Sequence, residues 1–189
     1  NYSEFRKPIK LLFPSRLIRE KGIEEVLIAY NELIKNGEDI KLLIAGEIDE
    51  GNRSSLKDKD KKNISSNKNI ILLGHRSDLK EIYSTSDIVL LPSWREGLSR
   101  SLIEAAAMEK PIITTNVPGC RDIIDHGING ILVPLKDPKA IELAILFLIR
   151  NRLTAKVFGK NIREKVKKRF DVKKINSQTL KIYNQTLNR

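Results

Sequence analysis

The sequence predicts an α/β chain: a doubly wound, Rossmann-like parallel sheet of about six strands, with extra helices at the C-terminal end. Three observations carry that expectation. Short apolar runs recur through the first two thirds, helical periods separate them, and the chain from residue 138 onward turns wholly helical. Runs that are apolar throughout, with no alternation, suit strands covered on both faces. Strand-helix alternation then favours parallel pairing through right-handed crossovers.

The elements follow in order. IKLLF (9–13), IKLLIAG (40–46), NIILLG (69–74), DIVLLP (87–92), KPIITT (110–115) and GILVP (130–134) are the expected strands. The clearest helix lies in GIEEVLIAYNELIKNG, where Ile23, Val26, Leu27, Tyr30, Leu33 and Ile34 share one face and Gly37 offers a C-terminal stop. SDLKEIYSTSD (77–87) opens on Ser77 as a capping serine, and segments 98–108 and 119–126 fill the next two gaps as helices. DEGNRSSLKDKDKKNISSN (49–67) reads as a loop holding a short helix with frayed ends. Three helices close the chain, ending near residues 150, 169 and 187.

Composition narrows the classes. The 189 residues, 40% of them hydrophobic, suffice for one ordinary core, and the longest apolar runs are too short to cross a bilayer. The single cysteine, Cys120, excludes an internal disulfide and reads as a packed small residue. His75 and His126 are too few for a histidine-based zinc centre, so no metal site is expected. The one methionine is Met108, so the segment beginning NYSEFRKPIK reads as a piece of a longer protein. A net charge of +11, concentrated in 57–68 and 150–174, suits an anionic partner: a phosphorylated ligand, an anionic membrane surface or nucleic acid. Solvated helix faces are the plainer reading of the same charge. Nucleic acid is disfavoured by 5% aromatic content and by the lack of a recognition motif.

Chemistry is expected just after strands, at their carboxyl ends. No glycine-rich dinucleotide fingerprint and no Walker pattern follows the first strand; FPSRLIREKG stands there. Arg16 and Lys21, separated by a turn, could grip a diphosphate from two sides without a metal ion. Equally, Arg16 could pair with a carboxylate at the sheet edge while Lys21 stays solvated. After the fourth strand, LPSW leads through EG into a helix over SLIEAAAM, so residues 97–100 would present unpaired amide groups to the same crevice. Glu104 then lies about one and a half turns into that helix. Its neighbours Leu102, Ile103, Ala105, Ala106 and Ala107 argue that it is buried. A buried carboxylate needs hydrogen-bond partners, which are either protein groups or the two hydroxyls of a ribose. Glu96, in the turn, would reach a second polyol nearer the phosphates.

Together, FPSRLIREKG, GHRSDLKEIYSTSDIVLLPSWREGLSRSLIEAAAMEKPIITTNVPG and HGINGILVPLKDP resemble, in order and spacing, the C-terminal half of retaining GT-B-type bacterial glycosyltransferases of the group 1, or family 4, kind. The likeness covers residues 10–138. Glu96 and Glu104 match that family's two-glutamate motif, with its seven intervening residues. The resemblance implies that Glu104 holds the nucleotide ribose and Glu96 touches the donor sugar. It implies likewise that the amides of Gly97, Leu98 and Ser99 line the diphosphate and sugar, and that Arg16 and Lys21 grip the diphosphate. The segment 74–79, with His75 and Arg76, matches one that meets the nucleobase chiefly through backbone groups. Two departures stand out: Ser15 where the family often has glycine, and LSR at 98–100 without the glycine or proline often seen there.

The same resemblance implies a domain plan and an activity. Residues 1–189 would form the donor-binding domain, with 1–8 as linker and 138–189 as its helical part, the N-terminal acceptor domain being absent from the chain. The implied enzyme is a retaining, metal-independent hexosyltransferase with no cofactor beyond its donor, a UDP or GDP sugar. Its acceptor is a polysaccharide or lipid-linked saccharide, and its place is the cytoplasm, peripheral on the inner face of the plasma membrane. A non-catalytic nucleotide-sugar binding module and a nucleotide-sugar epimerase of the same fold remain as alternatives. Phe170, Ile175, Leu180, Ile182, Tyr183 and Leu187 are expected to leave an apolar patch on the final helices.

Overall fold

Six parallel strands pair in the order β3-β2-β1-β4-β5-β6 in the computed structural model, which describes residues 8–187. They are β1 (Ile9–Phe13), β2 (Ile40–Ile44), β3 (Ile70–Leu72), β4 (Ile88–Leu91), β5 (Ile112–Thr115) and β6 (Ile131–Val133). Each expected strand is present, shortened where its run meets a turn. β4 and β5 are buried at every position, which requires cover on both faces of the sheet. The expected linker, residues 1–8, lies outside the described residues except for Pro8.

Eight α-helices lie among the described residues, α1 (Ile23–Lys35), α2 (Asp58–Ser66), α3 (Leu79–Thr85), α4 (Arg100–Ala107), α5 (Pro118–Arg121), α6 (Pro138–Arg150), α7 (Arg152–Arg169) and α8 (Val172–Leu187), and all but α8 bury residues in the fold. α1 packs against α6, and α4 packs against α7. The apolar stripe of α1 is buried as its period demands, apart from the partly exposed Ile34 near its end. The mobile-looking stretch 49–67 does hold a short helix, α2, anchored by Ile64.

Three local expectations are corrected. Ser77 does not cap α3; Asp78 holds the cap position without a side-chain cap bond, because its carboxylate is taken by Arg76. The helix expected over 119–126 contracts to α5, after which Asn129 accepts from the Asp125 amide and folds the chain back toward β6. α4 is not apolar all round: Leu102, Ala105 and Ala106 are buried, Ala107 is exposed, and Glu104 lies half-buried on the boundary. A carboxylate at the edge of an amphipathic helix costs far less than one in its core. The helical end conforms to expectation, since Ile175, Leu180, Ile182, Tyr183 and Leu187 on α8 are exposed. Phe170, just before it, packs against the core.

Gly22 joins the turn after β1 to α1 with φ 79°, and a Cβ there would come 2.2 Å from the Pro92 carbonyl oxygen after β4. The two loops that flank the sheet centre therefore touch backbone to backbone. Gly22→Ala is expected to lower stability by about 1–3 kcal/mol, read by denaturant unfolding, because both conformation and space are refused.

Candidate functional site

Strand order changes direction between β1 and β4. The chain leaves β1 toward β2 and leaves β4 toward β5, opening a crevice above their carboxyl ends. Residues after β1 are pinned to the β2 loop: the Leu17 amide donates to Glu47 O at 2.9 Å and the Arg19 amide to Ser54 O at 2.8 Å. Within this pinned turn Arg16 points outward, its side chain 63% exposed, and Nη1 donates to Asp49 Oδ2 at 2.9 Å. An ion pair that exposed is worth at most about 1 kcal/mol, so the guanidinium is readily shared with an arriving anion.

Lys21 ends a single 3-10 turn, Arg19–Lys21, and its Nζ donates to Glu96 Oε1 at 2.6 Å. Both side chains are largely covered, 22% and 10% exposed. Ser93 Oγ donates to the same oxygen at 2.9 Å, leaving Glu96 Oε2 without a protein hydrogen bond among the described residues. The base of this loop is tied to the sheet by two hydroxyls, Thr114 to Leu91 O at 2.7 Å and Thr115 to Ser93 O. Cys120 lies buried beneath it as expected, its sulfur 3.1 Å from Thr114 Oγ1, whose own proton goes to Leu91 O, and burial pushes its thiol above the ordinary range.

At the mouth of α4, Ser99 caps the helix by accepting from the Leu102 amide. The amides of residues 97–101 donate to no protein group among the described residues, as the open first turn of a helix requires. They form an anion-seeking rim beside Lys21. Gly119 lies directly under this rim: a Cβ there would fall 1.5 Å from Gly97 O, so only glycine lets α5 approach the Glu96–Gly97 turn.

Glu104 lies in α4, four residues after its first residue, Arg100. Tyr83 OH lies 3.0 Å from Ser101 O and 3.5 Å from Glu104 Oε2, and its one proton serves the nearer carbonyl. The carboxylate therefore has no short protein partner. Among the described residues the long contact to Tyr83 is the one hydrogen-bonding contact the Glu104 carboxylate makes with the protein, which leaves it able to accept from hydroxyls of a ligand. Leu98, on the rim, is exposed.

His75 and Arg76 follow β3. The His75 amide donates to Glu47 Oε1 at 3.3 Å, and His75 shares with Ser15, Arg16, Gly46 and Asp49 a cavity of about 390 Å³. Arg76 instead forks onto Asp78, through Nε at 2.7 Å and through Nη2 at 2.5 Å, which raises its own pKa and depresses that of Asp78. Its guanidinium is thus committed to its own loop. Arg16 and Lys21 lie in the segment after β1, and Glu96, Gly97, Leu98, Ser99 and Glu104 follow the adjacent β4, with Lys21 in contact with Glu96 and His75 sharing the cavity of Arg16. Asp49, Ser93 and Tyr83 were not singled out from the sequence. Only Ser93, directly after a strand and three residues before Glu96, carried any local signal.

The profile of the family described as Glycosyl transferases group 1 matches residues 2–165. The chain belongs to the glycosyl transferases group 1 family. It is 32% identical over 175 residues to the capsular polysaccharide biosynthesis glycosyltransferase CapM of Staphylococcus aureus, covering 93% of this chain and 46% of that protein. The chain thus spans about half the length of the curated relatives it matches. Its fold superposes with TM-score 0.84 on HepE of Anabaena solved with UDP, at 21% identity, covering 96% of this chain and 49% of that one. A TM-score of 0.72 relates it to the C-terminal domain of a group 1 glycosyltransferase, LpcC, of Francisella tularensis, at 23% identity and with 88% of each chain covered. The chain therefore has the architecture of a GT-B C-terminal domain. Among the described residues, no helix is long and apolar enough to cross a membrane.

Burial drives the Tyr83 hydroxyl far above its ordinary pKa. A group with a raised folded-state pKa lends stability that is present below its unfolded value and is lost as pH rises past it. Stability should accordingly decline above about pH 10, the ordinary tyrosine value. Tyr83→Phe should flatten that decline, as measured by denaturant unfolding over the alkaline range.

Proposed function

We propose that the crevice binds a nucleoside diphosphate sugar, with UDP or GDP as the nucleotide, and that the domain supports retaining, metal-independent hexosyl transfer. The observation that carries this reading is a convergence. Two cations follow β1, and an open row of amides and a half-buried carboxylate with one long protein contact follow the neighbouring β4, so both loops flank one switch point. Cations and amides suit a diphosphate, while a carboxylate that can accept from two hydroxyls suits a ribose.

In this reading Arg16, Lys21 and the rim amides stabilise the negative charge that develops on the leaving diphosphate, the task a metal ion performs elsewhere. Glu104 accepts from the ribose hydroxyls. Glu96, held by Lys21 and Ser93 through one oxygen, offers the other to orient the donor sugar. The backbone of the 74–79 segment, with His75 and Arg76, borders the base. The acceptor hydroxyl attacks on the face the diphosphate vacates, and a phosphate oxygen takes its proton, so no protein nucleophile is required.

An N-terminal half would supply the saccharide or lipid-linked acceptor, and closure over the nucleotide would complete the site. The capsular polysaccharide role of the Staphylococcus aureus relative and the UDP in the Anabaena structure support this reading. So does a basic last turn on α7, Lys167, Lys168 and Arg169, suited to peripheral contact with an anionic membrane on the cytoplasmic side.

Calorimetric titration with UDP and GDP tests the assignment. One of them should bind with an affinity indifferent to EDTA, and Arg16→Ala or Glu104→Gln should each weaken binding by about 1–3 kcal/mol through lost charge-assisted bonds. Absence of binding to both nucleotides would overturn it.

A further inference from the structure

Two residues before Glu96 stands the only tryptophan of the chain, Trp94, and its contacts reach the loops after β1 and β6 and the first turn of α1. Its backbone N–H donates to Glu20 O at 2.8 Å, next to Lys21 in the loop after β1. Its indole Nε1 donates to Glu25 Oε1 at 3.1 Å, in the first turn of α1. The Lys136 ammonium lies 4.1 Å from the ring centroid and the Arg19 guanidinium 5.8 Å from it. Lys136 comes from the loop between β6 and α6.

These contacts carry marks of constraint. Glu25 is only 7% exposed, and its second oxygen is buried with no hydrogen-bond partner, so the indole is the sole donor to a covered carboxylate among the described residues. Losing that donor would leave the whole group unpaired. Lys136 has φ 55°, a left-handed conformation that residues with a side chain adopt at a cost. Strain of this kind persists where the surroundings over-determine it, and here it places an ammonium over an aromatic face.

We propose that Trp94 is a positioning residue for the donor diphosphate. It clamps the loops after β1, β4 and β6 together, and so fixes Lys21 against Glu96 across 75 residues of sequence. It acts on ligand through that pair and not by contact, and Lys136 and Glu25 complete the clamp. The inference rests on the nucleotide-sugar reading above. When the clamp loosens, Lys21 drifts from the position at which it meets the second phosphate. Arg16 stays paired with Asp49, the rim stays seated on Gly119 and capped at Ser99, and Glu104 stays in α4.

The readout is the ratio of the Kd for a nucleoside monophosphate to that for the matching diphosphate, measured with UMP and UDP and with GMP and GDP. Trp94→Phe removes the indole donor but keeps the ring, whereas Lys136→Met removes the charge but keeps the stem. Each is expected to cut the ratio by about fivefold, the loss of part of one charge-assisted bond, with monophosphate affinity unchanged. A merely structural loss would lower both affinities together. Lys136→Met alters a surface side chain, so it decides the matter if Trp94→Phe fails to fold. An unchanged ratio in the folded variants overturns the clamp alone. A parent protein that binds neither diphosphate overturns the clamp and the functional reading together.

Discussion

Leu11 pairs with Ile88 and Leu12 with Val89, which sets two strands side by side whose following segments depart in opposite directions. That divergence creates the crevice, and no loop has to be held open to form it. Everything assigned to the site descends from it: Arg16 and Lys21 on one lip, and Glu96, the rim amides and Glu104 on the other. β4 is apolar for its whole length and β1 at every position but Lys10, so burial fixes the pairing before any polar group is consulted.

Charge is arranged on that frame in two grades. Arg16 is exposed and loosely paired, while Lys21 and Glu96 are largely covered and closely paired. Coverage strengthens the second pair electrostatically and makes its geometry matter more. Glu96 Oε1 is shared between an ammonium and a hydroxyl, which leaves the second oxygen free of protein hydrogen bonds among the described residues. Glu104 is handled differently: it stays on the boundary of α4, where partial hydration offsets the burial that a core position would impose. The overall basic charge lies largely on the outer helices and leaves this local arrangement to the loops.

Much of this was legible in the sequence, because strand burial on two faces writes itself as continuous apolar runs. The six strands, α1 and the helical end follow from that signal and from helical periodicity alone. The gathering of Glu96, Glu104 and the rim amides was legible because they are close in sequence and straddle one strand-to-helix turn. Other features depend on groups brought together by the sheet. Asp49 meets Arg16 across 33 residues and Glu25 meets Trp94 across 69, separations at which no spacing rule operates. Ser77 misled for a local reason: a neighbouring arginine took the carboxylate of Asp78, and the expected cap bond gave way to a side-chain fork. The expectation of a fully buried Glu104 came from counting alanines without their facing, since Ala107 lies on the solvent side.

The most direct measurement is a crystal structure of this domain grown with UDP or GDP. The account predicts pyrophosphate oxygens within hydrogen-bond distance of the Arg16 guanidinium and the residue 97–99 amides, with both ribose hydroxyls on Glu104. A nucleotide seated away from the β1–β4 divide, or one whose ribose leaves Glu104 untouched, would contradict it.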